Sequence, residues 1–190
     1  MGFIERIKNI LLTPRSEWRV IEHERSDAAY LFLHYVALLA AIPAIAGFVG
    51  TSLIGVAVPT VGTVRVPIIA GIINAVLAFV LSFGVTYGVA LAANALAPTF
   101  GGQKNPGNAL KLIVYSFTPG WLAGVFVAIP ALGFLGILGL YVVALLWLGV
   151  PQMMKVPTER ATGYTALLVA IMIVVAFGLA LMQASLIGFG

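Results

Sequence analysis

The chain has 190 residues, of which 62% are hydrophobic and only 8% are charged, and it contains no cysteine. Soluble domains are about 45–50% apolar and about 25% charged, so this composition excludes a soluble globular fold and predicts an integral membrane protein. The absence of cysteine also excludes disulfides, thiol catalysis and thiolate metal sites.

The amino-terminal residues 1–27 hold five of the six acidic residues and are too polar to form a cleaved signal peptide. From Phe3 to Leu11, apolar side chains recur at helical spacing, which predicts an amphipathic helix lying in the headgroup layer. Thr13 and Pro14 are the predicted N-cap and first residue of a second short helix. We interpret both helices as interfacial anchors that need no protein partner to bury their apolar faces.

Five later segments are long and apolar enough to supply the roughly 20 residues that cross a bilayer. They cover residues 28–53, 67–96, 109–130, 133–153 and 161–187. The predicted fold is therefore all-α, with an interfacial segment at 1–27 and a bundle of five transmembrane helices at 28–190. The third and fourth segments adjoin, so a tight turn is expected at 130–133.

A short internal similarity relates residues 41–50 to residues 128–136. If it reflects a duplication, Pro43 ends a span and residues 44–57 re-enter the membrane. Chance similarity is the simpler explanation in a chain this rich in small and aliphatic residues, so we keep five full spans.

The distribution of lysine and arginine predicts the orientation of the bundle, because cytoplasmic loops are enriched in these residues. With the amino terminus in the cytosol, nine cations lie inside and only Arg65 lies outside. The nine are Arg6, Lys8, Arg15, Arg19, Arg25, Lys104, Lys111, Lys155 and Arg160. We therefore predict that the amino terminus lies in the cytosol and that the carboxyl terminus lies outside.

Six of the basic residues are the candidates for contacts with lipid headgroups, since their charges flank the apolar spans. They are Arg6, Lys8, Arg15, Lys104, Lys155 and Arg160. The expected partners are membrane lipids, anionic ones above all, together with a further copy of the chain or another membrane protein. The net charge of +4 is thus explained by the membrane, and nucleic-acid binding is not expected.

Polar side chains within the spans are the candidates for a solute path. They are His34, Asn74, Ser82, Thr86, Tyr87 and Asn94. The same residues are also suited to joining helices by hydrogen bonds, which average about 0.6 kcal/mol each in membranes. The predicted spans contain no acidic residue, which excludes a carboxylate proton relay.

The sequence offers no catalytic residue, metal site or cofactor motif: a nucleophile elbow, a zinc-protease helix motif and a phosphate-binding loop are all missing. We expect a non-enzymatic protein that organises lipid or partner proteins at the membrane. The alternative is a channel or transporter for a small solute or an ion, in a form that includes an oligomer.

Three segments of the chain resemble the Yip1 domain family in its short prokaryotic form. They are the basic segment Arg6-Ile-Lys-Asn-Ile-Leu-Leu-Thr-Pro-Arg-Ser-Glu-Trp18, the start of the third span at Tyr115-Ser-Phe-Thr-Pro119, and the loop Val156-Pro-Thr-Glu-Arg-Ala-Thr-Gly-Tyr164. The positions that match the family are Tyr115, Pro119, Pro157, Arg160 and Tyr164.

The resemblance implies a compact five-span protein of the prokaryotic cytoplasmic membrane, with a cytosolic amino terminus and a connection to membrane traffic. Eukaryotic relatives bind Rab-type small GTPases, often through a longer amino-terminal region. Residues 1–27 are short by comparison, which argues against GTPase binding here. Because Pro119 has no N–H group, we also expect the carbonyl near Tyr115 to require another partner.

Overall fold

The computed structural model describes residues 2–25, 27–59 and 62–188. Two short helices, α1 (Phe3–Leu12) and α2 (Pro14–His23), precede the bundle. Five long apolar helices follow: α3 (Ala28–Ile54), α4 (Ile68–Phe100), α5 (Pro106–Ala128), α6 (Pro130–Met154) and α7 (Thr158–Gly188). The predicted all-α bundle of five membrane-spanning helices is thereby confirmed.

Helix α3 changes its winding along its length. Regular α-helical turns at Ala28–Leu31 and Ala37–Phe48 alternate with π-helical turns at Phe32–Val36 and Val49–Ile54. Pro43 lies inside the helix and does not end it, so the re-entrant segment considered for 44–57 does not form. Helix α5 packs directly on this proline, since a Cβ added at Gly124 would lie 2.6 Å from Pro43 Cβ.

Helices α4, α5 and α6 each combine α-helical and 3₁₀ turns. In α4, Ile68–Leu96 is followed by 3₁₀ turns at Ala97–Phe100, and α5 contains Pro106–Ser116, Thr118–Ala123 and the 3₁₀ segment Gly124–Ala128. In α6, the 3₁₀ segment Pro130–Leu140 precedes Tyr141–Met154. The turn between α5 and α6 is the single extended residue Ile129 (φ −116°), so it lies just before the predicted 130–133.

Side chains cap the starts of α3 and α5. Asp27 caps α3 by accepting a hydrogen bond from the Tyr30 amide at 3.1 Å. Helix α5 is capped by Asn105, whose side chain accepts from the amide of Asn108 at 3.0 Å. Asn108 therefore belongs to the first turn, because Pro106 already supplies the fixed φ that starts the helix. Pro14 begins α2 as predicted.

Between α3 and α4 the chain forms an antiparallel hairpin of β1 (Val56–Val58) and β2 (Gly62–Val64). The backbone enters it through Gly55 at a φ of +89°, where a Cβ would lie 2.7 Å from Thr63 Cγ2. Arg65 follows β2 and donates from Nε to the carbonyl of Ile54 at 3.2 Å. This hairpin marks one end of the bundle, which we call the hairpin end.

The opposite end gathers α1, α2, the loop after α4 and the turn after α6, and we call it the basic end. Gln103 N donates to Met154 O at 2.8 Å and joins the loop to the turn. Lys155 contacts Glu22 and joins the turn to α2. The structure thus groups the cation-rich segments together, as the charge count requires.

Helix α5 forms the centre of the bundle. In its most apolar stretch 61% of the residues are buried, against 6% for α4 and 11% for α7. Buried side chains from α1, α2 and all five long helices make one hydrophobic core. Residues 2–25 are therefore packed as part of the same folded unit as the bundle.

Candidate functional site

The short helices dock on the basic end through their apolar faces. Ile10, Trp18 and Ile21 are fully buried in the core. Gly149 of α6 allows this approach, because a Cβ there would lie 2.7 Å from Trp18 Cε2 and 2.7 Å from Leu112 Cδ1. The expectation that these apolar faces are buried in the headgroup layer is wrong for Ile10, Trp18 and Ile21, because the bundle itself covers them.

Arg6 lies on the buried face of α1, with 6% of its surface exposed. Its guanidinium contacts the carboxylates of Glu17 and Glu24 through separate nitrogens and lies 5.3 Å from the ring centre of Tyr115. A buried cation requires such partners, because water no longer solvates it. The predicted headgroup contact of Arg6 is therefore wrong, since its charge is satisfied inside the protein.

Lys111 of α5 closes the carboxyl-terminal end of α2. Its Nζ donates to the carbonyl oxygens of Ile21 at 2.7 Å, Glu24 at 2.9 Å and Glu22 at 3.3 Å. The carbonyls of Glu22 and Glu24 lie beyond the intrahelical bonds of α2, while that of Ile21 also accepts from the Glu24 amide at 3.3 Å. A cation here also complements the helix dipole. Sequence reasoning counted Lys111 only for orientation; its position as a lone cation among apolar residues was the available signal.

Glu22 forms a second link between α2 and α6. Its carboxylate accepts hydrogen bonds from Lys155 and from the amide of Gln152. The bond from Lys155 is the main reason that the pKa of Glu22 lies below its usual range, and Gln152 lowers it further. Lys155, predicted to meet lipid phosphate, is therefore paired with a carboxylate, and its left-handed backbone (φ 56°) ends α6.

Tyr35 of α3 and Tyr115 of α5 pack edge to face, with their ring centres 4.9 Å apart. Tyr35 Oη lies 2.9 Å from Thr118 Oγ1, and Thr118 donates to the carbonyl oxygen of Tyr115 at 2.8 Å. This carbonyl would have bonded the N–H that Pro119 lacks. The prediction that it requires another partner is confirmed, and the partner is the threonine hydroxyl.

A cavity of about 420 Å³ opens between α1, the linker to α3, α3 and α5. Charged, aromatic and aliphatic residues contribute to its walls. They are Gly2, Phe3, Arg6, Glu24, Arg25, Asp27, Tyr30, Leu31, His34, Tyr35, Leu38, Lys111 and Tyr115. His34 is exposed there and stacks on Tyr30, with the ring centres 4.6 Å apart.

The other polar residues proposed for a solute path do not join His34. Ser82 donates to Phe79 O at 2.6 Å and Thr86 to Ser82 O at 2.7 Å, so both hydroxyls bond the backbone of their own helix. Asn74 is half-buried in the same helix. Tyr87 and Asn94 line a separate cavity of about 200 Å³. The channel or transporter alternative gains no continuous path from these positions and stays a prediction.

The remaining positions that match the family lie at the basic end. Tyr164 is buried, donates to Ala93 O and meets the ring of Phe100 edge-on at 5.4 Å. Pro157 and Arg160 are exposed beside Gly101, where a Cβ would lie 3.3 Å from Arg160 Nη1. Tyr164 thus ties α7 to α4, while Arg160 keeps its charge at the surface.

The comparisons with known proteins agree with this architecture. A family model for the Yip1 domain matches residues 8–179. The chain belongs to the Yip1 family. Its relatives include the inner membrane protein YohC of Escherichia coli strain K12, which is 26% identical over 189 residues, with 93% of each chain covered.

YohC of E. coli O6:H1 strain CFT073 shows the same identity and coverage. No solved structure matches the chain. The resemblance inferred from the sequence is confirmed, and this Yip1 protein is an integral, multi-pass membrane protein.

Proposed function

We propose that this Yip1 protein is a non-enzymatic membrane protein that organises lipids or partner proteins. Its basic end contacts anionic headgroups on the cytosolic face of the membrane. The orientation in this proposal follows the positive-inside rule, because nine of the ten cations lie at the basic end and Arg65 at the other. The name of the E. coli relative supports the inner membrane as the location.

The observation that carries the proposal is a set of cations at the basic end that remain exposed after the internal pairs have formed. We call five of them, those that do not line the cavity, the exposed cations: Lys8, Arg15, Arg19, Lys104 and Arg160. Within the described part of the chain none of them makes an ion pair. Each cation near an anionic surface is worth about 1 kcal/mol, so the set supports a preference for anionic lipid.

Helix α1 also carries apolar side chains that the bundle does not cover. Ile4 is 73% exposed and Leu12 is 70% exposed. An amphipathic helix at the headgroup level buries such side chains at the boundary of the acyl chains. In the proposed arrangement, α1 therefore packs on the bundle with one face and contacts lipid with another.

The test of lipid preference compares lipids that remain with the protein in nanodiscs cut directly from the membrane. Replacing the exposed cations by glutamine should reduce the enrichment of anionic phospholipid over bulk membrane several-fold, whereas Arg65→Gln should leave it unchanged. Wild-type protein with the lipid composition of the surrounding membrane would refute the proposal.

The orientation is tested separately, because removing cations can itself change topology. The chain has no cysteine, so Ser16→Cys and Thr63→Cys each introduce a single exposed thiol, one at each end. In intact cells an impermeant maleimide should label only the variant at Thr63. Labelling at Ser16 instead would reverse the proposed orientation.

A further inference from the structure

The cavity between α1, α3 and α5 changes from charged to apolar along its depth. Arg25 and Asp27 line the cavity beside the start of α3, at the basic end, while Leu38 lines it further along α3. A helix rises 1.5 Å per residue, so Leu38 is roughly 16 Å further along α3 than Asp27. A ligand that fills this space is polar at one end and apolar at the other.

The wall formed by α3 is exposed toward the surrounding bilayer. Tyr30 is 59% exposed and Leu38 is 55% exposed, so a molecule can enter sideways from the lipid. His34 and Tyr35, which line the cavity, belong to the π-helical turn Phe32–Val36. Such turns are frequent at functional sites because they alter which side chains face a neighbour.

The charges around the cavity divide into two groups. Lys111 already donates to three carbonyl oxygens, and Arg6 contacts two carboxylates. Arg25 is exposed and makes no ion pair with another described residue. Asp27 is exposed, and the side chain of Glu24 is 37% exposed despite its contact with Arg6. The mouth therefore offers one cation and two carboxylates to a ligand.

We propose that this cavity binds a single phospholipid with a zwitterionic headgroup that ends in a primary amine. Arg25 contacts the phosphate, Asp27 and Glu24 accept hydrogen bonds from the ammonium, and one acyl chain lies along Leu31 and Leu38. An anionic headgroup without an amine offers the two carboxylates no donor and is repelled by their charge. A quaternary amine has no N–H to donate, so both classes bind more weakly.

This site is independent of the proposed preference for anionic lipid, since it uses other residues and another headgroup. The experiment uses native mass spectrometry to identify the single lipid that the full chain retains after detergent has removed the lipids held at its surface. The probes are phosphatidylethanolamine, phosphatidylcholine, phosphatidylglycerol and the soluble glycerophosphoethanolamine. We expect phosphatidylethanolamine to be retained about fivefold more than the other two lipids, the upper range for an exposed ion pair.

The variants separate charge from structure. Asp27→Asn keeps a good N-cap for α3 while it removes the carboxylate, and it should lower retention of phosphatidylethanolamine about fivefold. Arg25→Gln should act in the same direction. Arg65→Gln, which removes an exposed cation at the hairpin end, should leave retention unchanged.

Equal retention of the three lipids by the wild-type chain would overturn the proposal, and this result does not depend on how any variant folds. No effect of Asp27→Asn in a folded variant would overturn it as well. Binding of glycerophosphoethanolamine as tight as that of the lipid would assign the cavity to a soluble phosphoester and contradict a lipid occupant. Loss of anionic enrichment in the exposed-cation variant bears only on the proposed function.

Discussion

Replacing Lys111 by methionine should release α2 from the bundle without disturbing the membrane spans. Lys111 is 2% exposed, and two of its three bonds to α2, at 2.7 and 2.9 Å, have good hydrogen-bond lengths. A hydrogen bond to a charged group contributes about 1.5 kcal/mol or more. The two strong bonds therefore account for about 3 kcal/mol of the free energy that holds α2 in place, which is roughly a hundredfold change in the equilibrium constant between docked and undocked α2.

Hydrogen exchange measured by mass spectrometry reports this local opening directly. Amides of α2 should exchange roughly a hundredfold faster in Lys111→Met, while those of α7 keep their protection. Lys104→Met is the matched control, because Lys104 is exposed at the same end and bonds nothing in α2 among the described residues. Unchanged exchange of α2 in Lys111→Met would refute the assigned role of this lysine.

Three further outcomes are expected. Arg6→Leu should destabilise the fold by about 3–5 kcal/mol in denaturant unfolding, because Glu17 stays buried without its partner, and adding Glu17→Leu should recover most of the loss. Gly149→Ala should lower stability by about 1–3 kcal/mol through its clash with the indole, whereas Gly84→Ala meets nothing within 4 Å and serves as its control. The pKa of Glu22 is lowered in the fold, so the stability that its ionised carboxylate contributes is complete above the ordinary pKa of 4.5 and is lost as the pH falls through the lowered pKa. Glu22→Gln should remove this acid-dependent part of the free energy of unfolding. An unchanged dependence of stability on pH would contradict the pairing.

The sequence predicts the spans well because the bilayer acts as a uniform apolar solvent, whose thickness sets the length of a span and whose interior requires a high hydropathy. All five predicted spans begin and end within a few residues of the observed helices. Proline at the first turn of a helix is likewise a local effect, and Pro14 lies where it is predicted.

The docking of the short helices is not local, and the sequence does not determine it. An amphipathic stripe such as that of α1 has the same pattern whether lipid or protein covers it. Arg6 and Glu17 are eleven residues apart on different helices, so no helical spacing reveals their pairing. Lys111 bonds residues about 90 positions earlier, and only the packing of α5 beneath α2 brings them together.

The burial of α5 has a consequence for biogenesis. Its most apolar stretch has a mean hydropathy of 1.4, the lowest of the five, while the other four range from 2.1 to 2.8. A segment that carries a lysine and several hydroxyls partitions poorly into lipid alone. During synthesis α3 and α4 leave the ribosome first and offer α5 a protein surface. Its retention in the bilayer is therefore expected to depend on these earlier helices, so a chain that lacks α3 should lose α5 from the membrane although the sequence of α5 is intact.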